Sequence, residues 1–262
     1  MRKKCEHIIQ ELTGKKNVFF VDKGNSAILL ALKFAKEKTR KIYLPKEGGW
    51  ITYKQFAEKL KFEIEFVNTD NGYINLDKLK IENGTSVILN SMSAYSFLLD
   101  MEKFSEKCVK KDCFLINDVS ASIGTEQAKF GDIIIGSFGR WKPLNVEYGG
   151  FIATDIDFKD FFDNNFNKEV EDFFDKLYDK LSNLEKRLAF FNEKRGKVLE
   201  DLKEYDIIHR EKLGINVIVK FHDIKEKENL IKYCEKEDLE YILCPMNIKV
   251  NCDAISIEIQ RL

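Results

Sequence analysis

The chain has 262 residues, 44% of them hydrophobic, which is enough for one large or two modest domains with a real core. Its 43 lysines and arginines stand against 44 aspartates and glutamates, the two signs mixed along the chain. No net field pulls it onto nucleic acid or a membrane surface, so neither is expected as a partner.

From the amino end, "MRKKCEHIIQELTGKK" reads as a short amphipathic helix over about 4–13. Glu6, Gln10 and Glu11 interrupt its apolar positions, so it lacks the apolar centre of a signal peptide. No other run approaches the roughly 18–20 apolar residues of a membrane span, and a cytoplasmic protein is expected. "VFFVD" then reads as a buried strand, and "NSAILLALKFAKEK" as a helix behind Asn25 or Ser26, both good N-caps.

The alternation continues: "KIYLP" strand, "YKQFAEKLKF" helix, "EIEFVN" and "SVILNS" strands, "MEKFSEKCVKK" helix, "CFLIND" strand. Several of these strands are apolar on both faces, as a sheet covered by helices on both sides requires. Two more strands, "DIIIGSF" and "GFIAT", place Lys142 on the loop between them. The first part is therefore expected to be α/β with a mostly parallel sheet, over residues 1–155.

From about residue 157 the texture changes to phenylalanine and charge, with little glycine and no proline over some fifty residues. This predicts a long helical connector over 156–205, its charges a solvated face and its phenylalanine stripe a packing or dimer face. The remainder, 206–262, gives "DIIHR" and "INVIVKF" as strands, "EKENLIKYCEKED" as a helix, then "YILCP" and "AISIEIQ" as strands: a small α+β domain. The six cysteines, at 5, 108, 113, 234, 244 and 252, show no pair of close C-x-x-C units and only three histidines accompany them. Buried reduced thiols are expected, and no metal.

Four features fall at strand ends, the edge where open parallel sheets bind ligands. They are "KGNSA" at 23–27, Trp50, Asp118 and Lys142. Gly24 and Asn25 open a helix, where unpaired backbone N–H groups and the positive end of the dipole can hold a phosphate. Singly, each has an ordinary reading as a cap, a core aromatic or a surface charge. Jointly, a phosphate cradle, an aromatic plate, a carboxylate and a lysine amine are what pyridoxal phosphate needs. The lysine forms the Schiff base, the carboxylate keeps the pyridine nitrogen protonated, and the helix end anchors the phosphate.

At these residues the sequence resembles the fold-type I pyridoxal-phosphate enzymes, and most closely the DegT/DnrJ/EryC1/StrS aminotransferase family. "SFGRWKPLNVEYGG" is similar to the family's Schiff-base segment through Ser137, Phe138, Lys142, Gly149 and Gly150. "INDVSASIG" resembles its segment around the pyridinium aspartate through Asp118, Ser122 and Gly124, and "KGNSAILLAL" its phosphate cradle through Gly24 and Ala27. The likeness runs in order over about residues 4–154 and includes "NTDNGYINLDKL", which looks like the family's connector between Rossmann-like halves.

The resemblance implies a fold-type I large domain, an aminotransferase acting on a small amino or keto substrate, and a homodimer with active sites at the subunit boundary. It implies Trp50 as the ring-stacking residue and Ser120 on the opposite ring face; a phosphate at the helix end is expected to take the Ser137 hydroxyl and the Asn25 side chain as further donors. Arg140 and Arg261 are the available carboxylate forks for a substrate. Ala121 stands where many members have glutamine, Gly139-Arg140 where His-Pro is common, and no Gly-x-Asn-x-Arg segment follows Thr154. These departures give the alternative, a non-catalytic relative acting as a binding or regulatory subunit. Decarboxylation or β-elimination on the same cofactor is a third.

Overall fold

Alternating apolar residues decide the architecture, because successive strand residues point to opposite faces and both faces here are covered. In the computed structural model, which describes residues 1–262, the order begins α1 (Arg2–Thr13), β1 (Asn17–Val21), α2 (Gly24–Lys38), β2 (Lys41–Pro45), α3 (Ile51–Lys59), β3 (Glu63–Val67). It continues β4 (Ser86–Asn90), β5 (Met92–Ser93), β6 (Phe97–Leu98), α4 (Met101–Lys110), β7 (Phe114–Asp118), β8 (Ile133–Ser137), β9 (Gly150–Thr154). Then come α5 (Lys159–Asn165), α6 (Phe174–Ser182), α7 (Leu184–Asp201), β10 (Val217–Lys220), α8 (Ile224–Lys236), β11 (Tyr241–Cys244) and β12 (Ala254–Ile257).

Seven strands form one sheet in the order β1-β9-β8-β7-β4-β2-β3. The β9 strand is antiparallel to both its neighbours and all other pairings along β8-β7-β4-β2-β3 are parallel, so only β9 runs against the rest. Ile133 and Ile135 of β8 enter the core under α2 and α3, whereas Ile134 between them enters the core under α1 and α6. On β4, Ile88 joins the first of these and Val87 and Leu89 join a third core against α4. Each such residue, fully buried, contributes roughly 1.5–3 kcal/mol. The β3 edge carries the exposed Glu63 and Glu65, which discourage pairing with another chain.

Three details depart from the sequence reading. The α2 N-cap is Lys23, and Asn25 and Ser26 lie inside the first turn. The connector is three helices, with 166–173 outside any helix, because its phenylalanines turn inward. Phe158 packs against Phe19 and Phe34, and Phe173 and Phe174 against Phe20, so this stripe lies in the chain's own core. "DIIHR" forms no strand; only the Ile207–Val219 bridge remains, beside the sheet of order β10-β12-β11. Five cysteines are buried and Cys252 half-buried, all as free thiols. No helix is long and apolar enough to cross a membrane.

Candidate active site

The parallel strands all end at one edge, and the chain turns there into loops that carry polar residues. Asn90 closes β4, Asp118 closes β7, Ser137 closes β8, and the antiparallel β9 starts there with Gly150. A cavity of about 170 Å³ opens at this edge, lined among others by Gly24, Asn25, Trp50, Asp118, Ser137 and Lys142.

The α2 amino end borders the cavity without a side-chain cap and without an acidic residue in its first turn. Its first N–H groups border the cavity, while the Asp22 carboxylate, paired with Lys168, takes the Ser26 hydroxyl of the same turn. Gly24 is required by packing: a Cβ there would lie 2.5 Å from the Cβ of Ser137 and 2.7 Å from its Oγ. The helix end and the β8 end thus meet as closely as a glycine permits. Ser137 Oγ accepts from the Gly139 N–H at 3.1 Å, which leaves its own proton to donate. The Ser137 N–H in turn donates to Ser120 Oγ at 2.9 Å. Gly149 holds φ at +83° just before β9, a left-handed turn that returns the lysine loop to the sheet.

Asp118 is buried and takes two donors: the Tyr53 hydroxyl on Oδ2 at 2.6 Å and the Ser120 N–H on Oδ1 at 2.9 Å. Burial, then the neighbouring Asp118 charge, pushes the Tyr53 phenol well above its usual range, so it donates and stays protonated. Trp50 precedes α3 and Tyr53 stands one turn on, so one short helix delivers both to the site. The indole N–H of Trp50 donates to Asn25 Oδ1 at 3.1 Å, and the Thr52 hydroxyl reaches the same oxygen at 3.3 Å. Asn25 therefore sets the attitude of the Trp50 ring.

Lys142 sits between two aromatic faces, its Nζ 5.1 Å from the Trp50 ring centroid and 4.5 Å from that of Tyr95. The amine also donates to the Tyr95 hydroxyl. Burial holds the amine down to about 8, although the Asp118 and Glu258 carboxylates favour its charged form. A lysine so placed is neutral more often near neutrality than an exposed one, which makes it the better nucleophile and base.

The cavity brings together Gly24, Asn25, Trp50, Asp118, Ser120, Ser137 and Lys142. Arg140 and Arg261 do not line it. Their guanidinium groups lie 4.8 Å and 4.3 Å from the Trp141 ring centroid, and Arg261 pairs with Glu240 at 2.5 Å. Ala121 is buried in the core beside α7. Sequence reasoning missed Tyr53, Asn90 and Tyr95, all but Tyr53 lining the cavity. Tyr53 was detectable three residues after Trp50 on a helical pattern. Tyr95 was not, because it is brought in by left-handed backbone at Ala94 (φ 53°) and Tyr95 (φ 64°), which no periodicity announces.

The sequence profile of the DegT/DnrJ/EryC1/StrS aminotransferase family matches residues 2–159, more than half the chain. Serine hydroxymethyltransferase of Dehalococcoides mccartyi is 31% identical over 119 residues, 40% of this chain and 28% of that protein. The chain thus matches under a third of the length of that curated relative. Among solved structures, 3-amino-5-hydroxybenzoic acid synthase superposes with a TM-score of 0.76 at 14% identity, over 99% of this chain and 85% of that one. The Escherichia coli GDP-4-keto-6-deoxy-D-mannose-3-dehydratase with bound hydrated pyridoxal phosphate gives 0.72 at 16% identity, over 92% and 76%. At such identities these two likenesses establish the fold.

Proposed function

Because the chain belongs to the DegT/DnrJ/EryC1/StrS aminotransferase family, we propose that it is a pyridoxal-phosphate-dependent enzyme that transfers an amino group through Lys142. The observation that carries this reading is the meeting of a desolvated lysine amine, a doubly held carboxylate and an open helix amino end in one cavity. Pyridoxal phosphate, when bound, supplies an electron sink for charge developing on the substrate carbon.

The chain's own residues account for the rest. The α2 amino end and the Ser137 hydroxyl would hold the phosphate, where Gly24 permits the close packing they need. Trp50, oriented by Asn25, offers a broad face to the ring, and Ser120 stands beside Asp118 and Ser137. Asp118 would hold a proton on the ring nitrogen of a bound cofactor. Lys142 would hold the cofactor through its amine, and its Nζ would be the base that takes, and the acid that returns, the substrate proton.

Residues 1–155 serve as the cofactor unit, 156–205 as the connector and 206–262 as the small unit. The setting we assign is a cytoplasmic homodimer acting on a small amino or keto compound, on the strength of the family. Since the phenylalanine stripe is spent within the chain, it gives no support to the dimer.

The test is a half-reaction. Protein loaded with pyridoxal phosphate is offered a panel of amino acids and amino sugars, then denatured and its cofactor separated by chromatography. Conversion to pyridoxamine phosphate by one amine supports the reading. Retention of cofactor with no conversion by any amine favours the binding relative instead.

A further inference from the structure

We propose that Tyr95 is a further catalytic residue of this site: its phenol oxygen accepts from the Lys142 ammonium, favours that charged form and holds Nζ in place. The inference rests on the reading of Lys142 as the reacting amine.

The geometry makes Tyr95 more than a wall of the cavity. It is buried, its hydroxyl contacts Lys142 Nζ, and the amine has no other side-chain hydrogen-bond partner. Its backbone lies in the left-handed region at φ 64°, as does that of Ala94 at 53°, a conformation that a bulky residue adopts only where its surroundings impose it. Those surroundings come from the carboxyl-terminal part of the chain. The Tyr95 carbonyl accepts from the N–H groups of Ile215 and Asn216, both at 2.9 Å, and the Ala94 carbonyl from Lys249 Nζ at 3.3 Å. Lys249 is itself buried and paired with Glu258 at 2.7 Å. Glu258 is further held by the Ser256 hydroxyl at 2.6 Å and the Gln260 amide at 2.9 Å. Residues 215–260 therefore clamp the turn that aims Tyr95 at the amine.

The chemistry follows from what each group can exchange. The phenol is pushed well above its usual range by burial and by the Asp118 and Glu258 charges, so it keeps its proton throughout. Its oxygen accepts one N–H from the ammonium; once the amine is neutral the same contact reverses, and the phenol O–H donates to the nitrogen. When the ammonium loses a proton to an acceptor in the cavity, Nζ stays anchored on the Tyr95 hydroxyl. The phenol gains and loses nothing in that exchange. A hydrogen bond to the charged form is the stronger, so Tyr95 also raises the amine's affinity for its proton against the desolvation that lowers it. The charged and titratable groups around the amine are Asp118 from β7, Tyr53 from α3, Lys23 before α2, and Glu258 with Lys249 around β12.

Tyr95→Phe removes the hydroxyl and keeps the ring. The amine of Lys142 is titrated in cofactor-free protein by its rate of acetylation with acetic anhydride at a series of pH values, read by mass spectrometry of the peptide containing Lys142. Wild type is expected to give a midpoint near 8. The variant is expected to give one lower by about half to one pH unit, a three- to tenfold change in the proton equilibrium. An unchanged or raised midpoint overturns the assignment. If Tyr95→Phe does not fold, Tyr95→Met removes the oxygen with a flexible apolar side chain. It is expected to lower the midpoint likewise, and no shift overturns the proposal. Borohydride fixation of pyridoxal phosphate in wild type is run alongside. Absence of fixed cofactor there sinks the reading of the site, independently of what the anhydride titration says about Tyr95.

Discussion

The Tyr53 hydroxyl donates to Asp118 Oδ2 at 2.6 Å in a fully buried position, so a residue of α3 holds the carboxylate that ends β7. Replacing Tyr53 with Phe leaves that oxygen short of a donor inside the core. The loss is expected to destabilise the protein by about 1–3 kcal/mol in urea titration. Because Asp118 then holds the ring nitrogen less firmly, the half-reaction should slow about tenfold at full cofactor occupancy, the equivalent of ~1.4 kcal/mol in the barrier. Unchanged stability and unchanged rate would show that the bond serves neither purpose.

Capture of pyridoxal phosphate depends on the neutral form of Lys142. Burial holds this amine down to about 8, so the capture rate should climb steeply with pH below 8 and level off above it. Stopped-flow mixing of cofactor-free protein with pyridoxal phosphate reads this directly. A rate still climbing past pH 9 would place the amine at its ordinary value.

The same depression has a consequence for stability. The folded value of about 8 lies below the usual 10.5, so the fold disfavours the charged amine. Below about pH 8 the lysine is charged in both states and the cost is complete. Between the two values the unfolded chain binds more protons, so stability rises with pH. Lys142→Met in cofactor-free protein should therefore melt higher at pH 7, on the order of 5 °C, and the gap should close toward pH 10.5. A gap independent of pH would assign the gain to packing alone.

Gly24 and Ser137 should act as one unit. A Cβ on Gly24 meets the Cβ and Oγ of Ser137 before it meets anything else, so Gly24→Ala should weaken cofactor binding by parting the helix end from β8. Ser137→Gly removes the obstacle together with a phosphate donor. In the double variant the added cost of Gly24→Ala should shrink markedly, giving a coupling of about 0.5–3 kcal/mol in binding titrations. Strict additivity would mean that the alanine harms the site by another route.

Much of this site was legible because it is made by strand ends. The apolar runs ending in Asp118 and Ser137, and the glycine before the α2 pattern, each signal an edge position by local composition. The parallel sheet was legible for the same reason, since β4 and β8 are apolar at consecutive positions. Tyr95 and the Lys249–Glu258 pair were not, because their role depends on contacts between segments more than a hundred residues apart. Arg140 and Arg261 were drawn as substrate forks from residue type alone, and the structure sets both against Trp141. The phenylalanine stripe read as a packing or dimer face because periodicity reports that a side is apolar, not what covers it, and the structure gives it to packing.

The central claim is that Lys142 carries the cofactor. Wild type and Lys142→Ala are each incubated with pyridoxal phosphate, reduced with borohydride, digested and mapped by mass spectrometry. One equivalent of fixed cofactor on the peptide containing Lys142, absent from the variant, is the expected result. Equal labelling of the two proteins, or none in wild type, would contradict the account.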